Sequence, residues 1–171
     1  NCMENQLTNL NVTGLTNLTY ISSGYNSNLN GLDLTTNTSL NDLYLSNSLT
    51  SLIDLSQNTV LERIELNNCN LSGTFDVSNF ASLSSLGLSN NNLNQIIFDN
   101  SSPLTSLDIG NNQFSSIDLS SFPLITSLSI LGNNFTSFDF SIFTNLESLQ
   151  ISGNPLINVD LSPNSSLTYL L

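Results

Sequence analysis

The sequence contains no histidine, no lysine and no tryptophan, and its one basic residue is Arg63. Without histidine the common general base at neutral pH is missing, and without lysine there is no amine nucleophile. No glycine-rich phosphate loop and no G-x-S-x-G stretch takes their place. Neither cysteine, Cys2 or Cys69, has a base nearby in sequence, and two cysteines do not make a disulfide framework. These gaps exclude most hydrolytic and group-transfer chemistry and point away from an enzyme.

Charge is scarce as well as one-sided. Charged residues are only 8% of the chain, with 13 acidic residues against one basic, for a net charge of −12. Such a chain repels phosphate backbones, because binding by counterion release needs Lys or Arg. Nucleic acid and anionic membrane surfaces are poor partners; cations and basic protein surfaces are better ones. No apolar run approaches the roughly 20 residues of a membrane span. The polar start at Asn1, and the apolar pattern still running at Tyr169-Leu170-Leu171, are those expected of a segment cut from a longer protein.

What is present is a repeat. Hydrophobic residues make up 39% of the 171 positions, enough for one domain with a core, and they are evenly spaced. The pattern L-x-x-L-x-L-x-x-N-x-L begins at Leu18, Leu40, Leu61, Leu83, Leu104, Ile125, Leu146 and Leu167, at spacings of 21 or 22 residues. The cleanest copies are LSSLGLSNNNL from Leu83, LTSLDIGNNQF from Leu104, ITSLSILGNNF from Ile125 and LESLQISGNPL from Leu146. A second half-repeat reads L-x-x-L-D-L-S, as in FSSIDLS from Phe114, FTSFDFS from Phe135 and LINVDLS from Leu156. Two short strand-like runs per coil, each followed by a turn rich in Asn, Ser and Gly, predict a flattened β-rich solenoid with little helix. Residues 1–17 read as a degenerate amino-terminal coil or cap, and 18–171 as seven repeats plus the start of an eighth. The coil from Leu18 carries one extra residue before Leu29, and the coil from Leu40 is one short at Asn47-Ser48-Leu49, so both should deform locally.

This arrangement resembles the leucine-rich-repeat family, more narrowly its irregular 21-residue bacterial type, and the Asn- and Ser-rich style is similar to that of large extracellular Bacteroidetes proteins. The resemblance covers residues 18–171. It implies a right-handed coil with a parallel β-sheet on the concave face and short strands or turns on the convex side. It also implies a secreted or cell-surface location and a ligand on the concave face.

Within such a coil, the Asn position closes the strand turn and can satisfy backbone groups of its own and the next coil. Asn26, Asn91, Asn112, Asn133 and Asn154 fill it, with Cys69 standing in once as a buried thiol. Phe80, Phe122 and Phe143 should fill volume under the convex side. Outward strand positions gather Tyr20, Asp42, Tyr44, Arg63 and Glu65 in the early coils, followed by Asp108 among small residues. Tyr and Arg dominate many interfaces, so these six are the candidate ligand-binding residues; the alternative is that Tyr suits exposed strands and Arg63 pairs with Asp42.

An aspartate ladder, Asp33, Asp54, Asp76, Asp118, Asp139 and Asp160, recurs in the second half-repeat and is broken at Ile97. Stacked carboxylates need compensation. Either Ca²⁺ sits between neighbours, or each Asp accepts bonds from its own turn, with help from the Ser or Thr two residues on. The second is favoured, because no D-x-D-x-D-G loop occurs. Seven N-x-S/T sequons, at Asn11, Asn17, Asn37, Asn70, Asn100, Asn134 and Asn164, matter only in a glycosylating host. Hydroxyl rows such as Thr105-Ser106 and Thr126-Ser127 could meet a crystal surface such as ice, but Glu62, Arg63 and Glu147 interrupt them. The expected function is non-catalytic binding of a protein or glycan, without cofactor. The alternative is a structural stalk or filament that self-associates through the solenoid ends.

Overall fold

A computed structural model of the chain describes residues 1–48 and 53–171. Leu49, where the shortened coil should tighten, lies outside the described residues. No helix occurs among the described residues, and so none long and apolar enough to cross a membrane.

The strands are β1 (Tyr20–Ser22), β2 (Asp42–Tyr44), β3 (Arg63–Glu65), β4 (Ser72–Val77), β5 (Ser85–Gly87), β6 (Asn92–Phe98), β7 (Ser106–Asp108), β8 (Ser127–Ser129), β9 (Ser148–Gln150) and β10 (Tyr169–Leu170). Eight of them, in the order β1-β2-β3-β5-β7-β8-β9-β10, form one parallel sheet. Each supplies one strand per coil, at the place the repeat puts it. The three-residue strands alternate: Leu43, Ile64, Leu86, Leu107, Leu128 and Leu149 point inward and are at most 1% exposed. Flanking residues Leu40/Leu45, Leu61/Leu66, Leu83/Leu88, Leu104/Ile109 and Ile125/Ile130 complete the same core. At roughly 1.5–3 kcal/mol for each fully buried Leu or Ile, stacking supplies what no single coil can.

Among the described residues the second half-repeats are strands in two coils, where β4 and β6 pair in parallel. Their register slips between Gly73 and Thr74, which leaves Asn94 of β6 as an extra residue. Elsewhere these segments run extended and carry Phe114, Phe135 and Phe140 into the core. Phe80, Phe122 and Phe143 are buried as well, and the Phe98–Phe122 and Phe138–Phe140 rings lie 5.0 and 4.6 Å apart. The extra residue of the first full coil is absorbed in a turn, Leu29 N–H donating to Asn26 C=O at 2.8 Å. Residues preceding β1 follow its edge: Cys2 N–H donates to Ser22 C=O and Glu4 N–H to Gly24 C=O.

Asparagines lace the coils together. Asn133 Nδ2 donates to Ile109 C=O in the preceding coil (2.9 Å) and to Ile130 C=O in its own (3.1 Å), while its Oδ1 accepts from Phe114 N–H (3.0 Å). Asn26, Asn91, Asn112 and Asn154 repeat this scheme. Ser48 takes the position in the second coil, its hydroxyl donating to Ser23 C=O (2.8 Å) and accepting from Asn26 N–H (3.1 Å). Cys69 takes it in the third, buried, its sulfur 3.5 Å from the Leu45 and Asn67 carbonyl oxygens.

A second set of buried asparagines was not evident in the sequence. Asn37, Asn58 and Asn164 close the other turn, each donating to two carbonyls, and Phe80, Phe122 and Phe143 occupy the equivalent place elsewhere. Two of the seven sequon asparagines, Asn37 and Asn164, are therefore sealed inside the fold.

The aspartate series differs from expectation at one point. Ile97 does pair with Asp76, but the series is not broken there. The turn falls two positions later, and Asp99 takes the role there. Its Oδ1 accepts from Ser101 N–H at 2.8 Å, as Asp33, Asp54, Asp76, Asp118, Asp139 and Asp160 accept from the residue two on at 2.9–3.0 Å.

Candidate functional site

The six candidate residues project from one face of the long sheet, and its register groups them. Tyr20, Asp42 and Arg63 lie side by side in one column across β1, β2 and β3; Ser22, Tyr44 and Glu65 form the next. Along the same columns β5, β7 and β8 carry Ser85, Ser106 and Ser127, and Gly87, Asp108 and Ser129. Asp108 is thus separated from Glu65 by a strand that offers only glycine. Five of the six candidate residues are concentrated on three adjacent strands; beyond them the columns carry Asp108, then Gln150 on β9 and Tyr169 on β10.

Local chemistry ties the group together. Arg63 Nη1 donates to Asp42 Oδ1 at 2.8 Å. Both partners keep solvent access, so the pair orients the guanidinium more than it stabilises the fold. The Tyr20 and Tyr44 rings meet at 5.5 Å, tilted by 40°; Tyr20 stays 47% exposed. Burial, followed by the negative charge of Asp42, pushes the Tyr44 phenol above its ordinary range.

Glu65 is the least ordinary member. Its side chain lies across β5, where a Cβ on Gly87 would collide with the carboxylate. Burial there raises its pKa, a bond from Asn67 Nδ2 (2.7 Å) opposes the rise, and the charge of Asp108 adds to it.

A cleft of about 610 Å³ opens beside this face, where the strands pass into their turns. It is lined by Met3, Gly24, Tyr25, Tyr44, Ser46, Asn47, Glu65, Asn67, Asn68 and Asn90. The turns share a left-handed residue whose N–H bonds to the next coil. Asn47, Asn68, Asn90 and Asn111 have φ of 52–60° and Gly132 61°; Gly153 shares the conformation at 72°. Asn and Gly tolerate that conformation. In the first coils Glu4 (φ 55°) and Tyr25 (φ 60°) hold it instead. The sequence does place Tyr25 in a column of Asn and Gly, and that irregularity is the signal for the cleft which the strand-based reading passed over.

The aspartates Asp33, Asp54, Asp76, Asp99, Asp118, Asp139 and Asp160 lie apart from this site. Hydrogen bonds from their own turns hold all seven below the usual carboxylate range. That is the compensation a carboxylate stack requires. Among the described residues no group of three or more His, Cys, Asp or Glu is placed to hold a metal ion. A hollow of about 320 Å³ between Ile117, Phe138 and Phe143 lies in the second half-repeats, away from the candidate residues.

No family model and no curated protein matches the chain. Solved structures do. The functional domain of InlJ from Listeria monocytogenes, described as including a cysteine ladder, superimposes with a TM-score of 0.78 at 26% identity. That match covers 99% of this chain and 42% of that one. The leucine-rich-repeat domain of APL1B gives 0.71 at 22% identity, covering 98% and 52%. An internalin, InlF, from Listeria monocytogenes gives 0.56 at 24% identity, covering 91% and 61%. The chain thus spans about half the length of the structures it matches.

Proposed function

Since the chain is a leucine-rich-repeat solenoid, we propose that it is a non-catalytic module, capped by residues 1–17, through which a secreted or cell-surface protein binds a protein or glycan. The internalin-like and APL1B-like likeness supports the protein-binding class. The ligand face is the strand face at β1–β3. The observation that carries this is the grouping of Tyr20, Tyr44, Arg63, Asp42 and Glu65 on three neighbouring strands, while β5 and β8 present only Ser and Gly there. An exposed Tyr20 ring packed on a half-buried Tyr44, and a guanidinium already oriented by Asp42, lose little freedom on binding.

The test is capture of partners from the source's extracellular material by the chain and by a Tyr20/Tyr44/Arg63→Ala variant with an unchanged circular dichroism spectrum. A partner held by the first and released by the second is expected. Equal capture by both removes the strand face from the reading. A second reading, a stalk or filament, would be favoured by concentration-dependent self-association in sedimentation.

A further inference from the structure

The cleft beside the strand face is acidic and aromatic and holds no cation. Its one ionised lining group, Glu65, has a neutral amide, Asn67 Nδ2, as its bond partner; Asp108 stands two strands along the same column and Asp42 in the adjacent one. The one basic residue, Arg63, is directed to Asp42 on that adjacent column. Glycine at position 87 leaves the room into which the Glu65 carboxylate folds. A half-buried carboxylate among like charges is satisfied by a cation, and a neutral hydroxyl ligand would leave its charge unbalanced.

The cleft wall adds a second, independent observation. Tyr25 is held at φ 60° with its side chain 55% exposed. An aromatic residue is strained in that conformation, and its exposure shows that core packing does not require it there. Tyr44 lines the cleft with it. Aromatic faces beside a carboxylate match an aliphatic stem ending in a cation.

We infer that this cleft receives a lysine or arginine side chain of a protein partner, the cation meeting Glu65 and the stem lying against Tyr25 and Tyr44. The inference rests on the protein-binding reading and names the partner's chemistry at one position. The chain's −12 charge draws basic surfaces toward it, and the cleft selects one side chain among them.

The experiment is an NMR titration of the isotope-labelled chain with N-acetyl-lysine amide, N-acetyl-arginine amide and the neutral N-acetyl-norleucine amide. Saturable shifts centred on Gly24, Tyr25, Asn47, Asn67 and Gly87 are expected with a basic probe and not with norleucine. Glu65→Gln and Tyr25→Asn should each weaken binding by about fivefold. Glu147→Gln, which removes the same charge elsewhere on the sheet, should change it less than about twofold. Equal response to norleucine, equal loss with Glu147→Gln and Glu65→Gln, or shifts spread over the whole acidic surface would each overturn the inference. So would saturable binding of N-acetylglucosamine in the cleft with no response to the basic probes. If the probes fail while the strand-face variant still loses its partner, only the cleft inference falls; if they succeed and no protein is captured, only the wider reading does.

Discussion

Replacing Asn133 by alanine removes a side chain that four backbone groups bond, and the loss can be worked group by group. Phe114 N–H is buried and donates to Asn133 Oδ1, so it is left without that acceptor. An orphaned buried donor costs about 1–3 kcal/mol. Ile109, Ile130 and Leu131 C=O each lose one bond but keep another, from Asn112 Nδ2, Asn154 Nδ2 and Asn111 N–H. Those losses cost about 0.5–1.5 kcal/mol each. The expected destabilisation is therefore about 2.5–7.5 kcal/mol, against a total of about 5–15 kcal/mol for an ordinary domain. Urea unfolding followed by far-ultraviolet circular dichroism measures it, with Asn134→Ala as the control. Asn134 is the exposed neighbour, and its substitution should stay within about 0.5 kcal/mol. A cost for Asn133→Ala below about 1 kcal/mol, or indistinguishable from the control, would refute the view that these asparagines hold the coils together.

Other consequences can be measured on the same protein. Seven aspartates have folded-state pKa values depressed by hydrogen bonds from their turns, so their stabilisation is complete above the ordinary carboxylate range and is lost as pH falls through the lower folded values. The urea midpoint should fall below about pH 4, and a triple Asp118/Asp139/Asp160→Asn variant, which keeps the acceptor oxygens, should fall less. Glu65 has the opposite sign: burial raises its pKa, so its ionised form opposes folding at neutral pH and the opposition is relieved on acidification. Glu65→Gln should leave the midpoint at pH 7 unchanged or raised; a marked drop would contradict this. Phe122→Ala, in a side chain 2% exposed, should cost about 3–5 kcal/mol in the same assay. Tyr25→Asn should raise stability by about 1 kcal/mol by relieving the left-handed backbone, and a loss of stability would show that the ring is needed for packing.

The strand positions were legible because they depend on one rule, alternation inside a fixed period. Tyr20, Asp42, Tyr44, Arg63, Glu65 and Asp108 all lie on the face where that rule puts them. What escaped depended on chemistry that the repeat does not write in one letter. Ser48 does part of an asparagine's work with a hydroxyl. Asp99 escaped because its turn lies two positions beyond Ile97, the residue that pairs with Asp76. Between Asn58 and Asn164 the same turn position is held by Phe80, Ser102, Phe122 and Phe143, so the asparagines do not read as one series. The sign of φ at Tyr25 is invisible in its side chain, and only its place among Asn47, Asn68, Asn90 and Asn111 betrays it.

The asparagine series gives each coil two side-chain claims on its neighbour, and Ser48 makes the same two with its hydroxyl. A solenoid laced this way behaves like a beam stitched from coil to coil, so load applied at one end is passed along the stitching. The Tyr25–Glu65 cleft draws its walls from several successive coils. A side chain seated there would clamp those coils together, so occupancy and bending stiffness would rise together.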